Sequence, residues 1–201
     1  MRLTPVSMPW ARSPLQEPLS LTDAKAYLKV DHTDEDALIT QMVREARSWV
    51  ETFTGRALID QTWKFTIESF PTTDLHLPKG KTIAITGFIY RDTAGVLQSL
   101  YGMEVSPNGS NYQWDLGSDD GGLLRPAYAG SWPDIRPTLD PIQITFRAGY
   151  STGAGIPEQI LAGLKWKLAD LYAMRGNQDI GLGGQHQVAE ALLIPWKLGW
   201  F

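Results

Sequence analysis

Cysteine is absent from the 201 residues, which excludes disulfides, thiolate metal centres and thiol nucleophiles and fits a reducing compartment. Histidine is scarce, and His32, His76 and His186 lie far apart with no partner at helical ligand spacing. No apolar run approaches the length that crosses a bilayer. Positive charge is also in short supply. There are 18 Lys and Arg against 22 Asp and Glu, a net charge of -4, and the basic residues are scattered along the chain. A sequence-independent grip on nucleic-acid phosphates needs clustered cations and is not expected here. The opening MRLTPVSMPWARSPLQEP lacks the apolar stretch of a secretory signal, so assembly in the cytoplasm is the expectation.

What is present is ordinary for a globular chain, 43% hydrophobic and 20% charged, and long enough to bury a sizeable core. Pro5, Pro9, Pro14 and Pro18 interrupt any period over residues 1–19, which predicts an extended arm with Trp10 as its anchor. Residues 20–58 read as N-terminal helices. Ser20 with Asp23 resembles a capping box ahead of Ala24, Tyr27 and Leu28. Thr33 followed by Asp34, Glu35 and Asp36 predicts a capped start, with Leu38, Met42, Ala46, Trp49 and Phe53 as the apolar face of a long helix closed near Gly55.

Over residues 59–150 the period drops to two: Trp63, Phe65 and Ile67; Ile83 and Ile85; Ile142, Ile144 and Phe146. Pro78–Gly80 and Asp92–Gly95 read as turns between neighbouring strands, so the sheet is expected to be mainly antiparallel, with residues 118–132 a long Gly-rich loop. Residues 156–176 restore the helical period through Ile160, Leu161, Leu164, Leu168, Leu171 and Tyr172. Residues 177–187 are polar, and the terminus VAEALLIPWKLGWF is apolar and aromatic. The fold class is therefore α+β, with N- and C-terminal amphipathic helices forming a small helical bundle, the C-terminal helix packing on the N-terminal ones, and a mainly antiparallel β-rich middle region.

Three chemistries can be tested against these segments. Gly149-Tyr-Ser151-Thr-Gly153 spells the G-x-S-x-G of a nucleophile elbow, and Asp170 or Asp179 with His186 completes the chain order of a hydrolase triad. An elbow serine sits directly before its helix. Here Ala154, Gly155 and Ile156 intervene before Pro157, the preceding strands read as antiparallel, and too little chain follows His186 for further parallel units. A flexible strand-to-helix turn is the better reading. Asp74 with His76, or Asp119 with Asp120, could touch a cation, but neither has a further ligand series and both fit strand or turn chemistry. Tyr112, Trp114 and Trp132 could stack a sugar in a ligand-binding β-module, whereas Trp49 and Trp63 fall in phase with core positions.

The ordered parts are PLSLTDAKAYLKVDHTDEDALITQMVREARSWVETFTGRAL, the FRAGY strand end, IPEQILAGLKWKLADLYAMRG and the terminal LLIPWKLGWF. Together they resemble the head-tail connector, or adaptor, proteins of long-tailed bacteriophages and gene transfer agents, from about Pro18 to the end, with residues 95–140 the least similar. The resemblance implies a structural protein with no enzyme activity and no cofactor. It implies a ring of about twelve copies beneath the portal protein, a platform for the stopper and tail, and a location in the virion at the head-tail junction. DNA passes through such a ring, and -4 per chain would sum to roughly -48 and deter adhesion. The resemblance further implies that residues 177–201 form a tail docking on the portal, through Leu192, Leu193, Pro195, Trp196, Trp200 and Phe201. The Gly149 to Gly155 stretch is then the joint between β-layer and C-terminal helix.

Overall fold

In the computed structural model, which describes residues 1–6, 17–100, 112–128, 130–175 and 185–199, two compact units alternate along the chain. One combines residues 1–12 with 60–149, and the other combines residues 13–59 with 150–201. The helical unit begins at α1 (Leu21–Leu28). The Ser20 hydroxyl accepts from the Asp23 amide at 3.1 Å and donates to the Asp23 carboxylate, as its capping box predicts. Helix α2 (Asp36–Thr54) ends at Gly55 in the left-handed region, as expected.

Its start differs from expectation. Thr33 does not cap it, and the flanking Glu35 makes no side-chain cap bond. Asp36 instead accepts from Lys25 of α1 at 2.6 Å, and Glu35 accepts from Tyr172 and Arg175. The buried face is also rotated from the expected one. Ile39, Met42, Val43, Ala46 and Val50 are inside, while Leu38 is exposed. Trp49 and Phe53 stack on each other at 5.2 Å along the edge of this core. A stripe defined by Ile39 and Val50 faces α3 (Glu158–Ala173), whose Ile160, Leu164 and Leu168 are fully buried in the same cluster.

Helix α4 (Gln185–Leu193) was not expected in the tail, and it packs chiefly on α3. A single 3₁₀ turn, Ile194–Trp196, follows it. The polar residues before it gave no helical period, and those at 176–184 lie outside the described residues, as does Trp10. Among the described residues no helix is long and apolar enough to cross a membrane.

The β unit holds a five-stranded sheet in the order β1-β2-β8-β4-β5. These strands are β1 (Arg2–Pro5), β2 (Gln61–Ile67), β4 (Thr82–Arg91), β5 (Leu97–Ser99) and β8 (Ile142–Ala148). A second sheet runs β3-β7-β6, from β3 (Leu75–His76), β6 (Tyr112–Asp115) and β7 (Leu123–Pro126). Every pairing is antiparallel. Central strand β8 alternates buried Ile142, Ile144, Phe146 and Ala148 with half-buried residues, the period of two seen in its sequence.

Three features of this unit depart from the sequence reading. Arg2–Pro5 is an edge strand paired with β2. The expected loop at 118–132 contains β7, because Leu124 is fully buried between β3 and β6. The Asp92–Gly95 turn does join paired strands, β4 and β5, but the Pro78–Gly80 turn carries the chain from one sheet to the other. The sheets meet through aromatics. Tyr112 lies edge-on to Phe88 at 5.1 Å, and Trp132 stacks on Phe70 at 4.7 Å.

Candidate docking surface

The C-terminal segment combines buried anchors with exposed apolar groups. Leu193 is fully buried in the helical core, beside Ile160, Leu164 and Leu168. A Cβ on Gly163 of α3 would fall 2.7 Å from the Leu193 Cγ, so the absence of a side chain at 163 is what lets α4 approach. Leu193 is thus engaged within its own subunit. Leu192 is half-buried, Pro195 is exposed and Ile194 is 62% exposed. Trp200 and Phe201 lie outside the described residues.

Trp196 is held from three sides. The buried Arg56 donates through Nε to the Trp196 carbonyl at 2.5 Å, and its guanidinium lies 5.5 Å from the indole centroid. The indole Nε1 donates to Gln159 at 2.8 Å. The Leu198 amide donates to the Thr54 carbonyl at 2.9 Å, and Lys197 sits over Phe53. The last described residues are therefore clasped to the end of α2 and the first turn of α3.

A second tie joins α2 to α3 at the other end of the helices. The Glu35 carboxylate receives the Tyr172 hydroxyl and the Arg175 guanidinium, both at 2.6 Å. The Tyr172 hydrogen bond, then Arg175, hold the Glu35 carboxyl below its ordinary range. The same bond to Glu35 pushes the Tyr172 hydroxyl up. Neither residue type at these spacings is a sequence signal for such a tie. It arises because two segments 137 residues apart meet.

Ser151 is exposed, and α3 opens seven residues later, after the 3₁₀ turn Gly153–Gly155. Asp170 pairs with Lys167 at 3.1 Å, Asp179 lies outside the described residues, and His186 belongs to α4. Gly149 has a φ of 117°, and a Cβ on Gly153 would meet the Pro18 carbonyl at 2.7 Å. The G-x-S-x-G glycines are thus explained by a left-handed joint and a close backbone approach. Asp74 pairs with Arg125, and Asp119 with Lys81. Among the described residues no three His, Asp or Glu side chains are grouped to hold an ion. Of the supposed stacking residues, Tyr112 is fully buried and Trp132 is stacked on Phe70. Trp114 is exposed, beside a shallow groove of about 210 Å³ lined with Asp115 and Arg125, and Trp132 is half-buried.

The profile of the Phage gp6-like head-tail connector protein family matches residues 18–87. That span covers α1, α2, β2, β3 and the first half of β4. The whole fold is similar to a chain in the neck of an empty gene transfer agent (GTA) particle computed with C6 symmetry. The TM-score is 0.72 at 20% identity, over 98% of this chain and 95% of that one. A chain of the virion of a native GTA particle matches at 0.70 and 20%, with the same coverage. A chain from the neck of a native GTA particle computed with C12 symmetry matches at 0.67 and 19%, again over 98% and 95%. At these identities the likeness is one of fold. No curated protein matches the chain. The resemblance to head-tail connectors read from the sequence holds, in the profile over its N-terminal third and in the α+β architecture over nearly all of it.

Proposed function

We propose that this chain is a structural head-tail connector of a tailed phage or gene transfer agent. It forms a ring under the portal protein, continues the DNA channel and gives the stopper and tail a platform. The observation that carries this reading is the coincidence of a connector profile on residues 18–87 with a fold shared over 98% of the chain with GTA neck components. The C6 and C12 symmetries of those neck structures support a cyclic ring of about twelve copies. Its place is the virion, after assembly in the host cytoplasm. It works without a catalytic centre or cofactor, and DNA passes it without being gripped, since each subunit adds -4 to the ring.

Portal docking falls to the C-terminal segment, with the roles of its residues divided. Leu193 anchors α4 to its own subunit. Leu192, Pro195 and Trp196, followed by Trp200 and Phe201, present the apolar end to the portal. Deleting Trp200 and Phe201 leaves the Arg56 clasp and the Leu198 amide bond in place. Such a truncated chain should melt as the intact one does yet bind assembled portal rings at least tenfold more weakly. Mass photometry of the mixture reads both the binding and the copy number. Full binding by the truncated chain would remove the tail from the dock, and absence of any ring from the intact chain would remove the connector reading itself. Ser151→Ala should change neither ring formation nor stability beyond about 0.5 kcal/mol, because that side chain is exposed.

A further inference from the structure

Strands β6 and β7 lie side by side in the smaller sheet, and their register sorts their side chains. Gln113 lies opposite Arg125 and Asp115 opposite Leu123, so these four share one face. Trp114 lies opposite the fully buried Leu124 on the other face, yet β6 ends the strand order and the indole is 38% exposed. The five side chains Gln113, Trp114, Asp115, Leu123 and Arg125 line one shallow groove of about 210 Å³.

The polar groups of this groove are held in place without being saturated. The Asp115 carboxylate accepts the Gly117 amide through Oδ1 at 2.8 Å, which leaves Oδ2 as a further acceptor. Arg125 donates from one terminal nitrogen to Asp74 at 2.7 Å, and its other nitrogens remain donors. The Gln113 side-chain amide and the Trp114 indole N–H make no hydrogen bond among the described residues. The groove therefore offers donors and acceptors beside an exposed aromatic edge. Because Asp115 and Arg125 are already oriented, a ligand has less to order when it binds.

This set of groups discriminates between ligands. Arg125 carries +1 against -1 each on Asp74 and Asp115, which leaves -1 and disfavours a phosphate, or a nucleobase that arrives with one. One carboxylate beside a guanidinium is a poor cation site. A wholly apolar ligand would leave the polar groups unpaired. A neutral sugar ring meets every condition, since its C–H face can lie on an indole while each hydroxyl both donates and accepts. The groove is also smaller than the roughly 300 Å³ at which pockets for drug-sized ligands begin, which suits a single ring. We propose that Gln113, Trp114, Asp115 and Arg125 form a binding site for a neutral pyranose residue. The site belongs to the β unit alone and does not depend on the connector reading.

The test follows the indole N–H signals of isotope-labelled full-length chain by NMR while methyl glycosides of glucose, galactose and mannose are added singly. The Trp114 signal is the one missing from the Trp114→Phe spectrum. At least one glycoside should move it saturably, with a Kd of about 1 mM for so shallow a site. Gln113→Ala, at a half-buried surface position, should keep the melting temperature and circular dichroism of the parent yet bind about fivefold more weakly, the loss of one hydrogen bond. Dextran and mannan distinguish the sources. A response to the methyl glycoside alone supports the site as one for a free sugar, and a response to the polymer as well supports it as one for a residue within a polysaccharide. The proposal is overturned if none of the three glycosides moves the Trp114 signal at roughly 100 mM, a hundredfold above that Kd. It is overturned equally if Gln113→Ala binds as the parent does, or if inorganic phosphate moves the signal and the glycosides do not.

Discussion

Replacement of Gly163 by Ala should change sign with the residue at 193. A Cβ at 163 would lie 2.7, 2.8 and 3.1 Å from Cγ, Cδ2 and Cδ1 of Leu193, and those are the three carbons that Leu193→Ala removes. In the intact chain the new methyl gains about 1 kcal/mol from helix propensity inside α3. Overpacking of the buried Leu193 opposes it by about 1–3 kcal/mol, so the net effect is a loss of up to about 2 kcal/mol. Leu193→Ala alone opens a cavity in the core and costs about 2–5 kcal/mol. With Leu193 truncated, the methyl at 163 meets no clash and returns about 1 kcal/mol of propensity. The four proteins therefore form a cycle with a coupling of about 1–3 kcal/mol, whereas distant sites add within about 0.5 kcal/mol. Urea unfolding followed by ellipticity at 222 nm measures it, since the helices sit in the unit being perturbed. Additive effects, or stabilisation of the intact chain by Gly163→Ala, would refute the packing of α4 on α3 through position 163.

The tie between Glu35, Tyr172 and Arg175 sets a pH window for the helical unit. Glu35 has its pKa lowered on folding, so its contribution is present above the ordinary carboxyl value of about 4.3 and is lost as pH falls through the lowered one. Tyr172 has its pKa raised, so its contribution is present below about 10 and is lost as pH rises through the raised value. Glu35→Gln should lower the melting temperature near neutral pH, with the gap to the parent closing only as pH falls below the ordinary carboxyl value and through the lowered one; a gap that persists once the carboxyl is fully protonated would contradict the tie. Arg56→Ala should cost about 2 kcal/mol through loss of the charged hydrogen bond and speed hydrogen exchange at the Leu198 amide, which an intact clasp protects. Phe88→Ala, at the meeting of the two sheets, should cost about 3–5 kcal/mol and shift the emission of the Trp132 stack; an unmoved spectrum would count against that packing.

Much of the architecture was legible because it follows local rules. The capping box at Ser20, the left-handed close at Gly55 and the alternation along Ile142, Ile144 and Phe146 are all written within a few residues. Short or two-sided signals were not. Leu123–Pro126 offers four residues that follow two glycines and end in a proline, and only the flanking strands β3 and β6 give Leu124 a place to be buried. The face of α2 was misplaced because Leu38 and Ile39 are equally apolar neighbours, and periodicity cannot choose between them without knowing where α3 lies.

The candidate dock shows the same division. Its apolar and aromatic character was plain from VAEALLIPWKLGWF, as was the lack of thiols or clustered cations that a different chemistry would need. Which of those side chains face inward was not. Leu193 is an anchor because Gly163 is bare opposite it, and Trp196 is oriented because Arg56 and Gln159 reach it from elements distant in the chain. Composition and short-range pattern sufficed for the helices, the strands and the expectation of a partner, since these depend on propensity and on burying one face. The division of one apolar segment into buried and exposed residues depended on which remote residues met it, a property of packing that spacing along the chain does not encode.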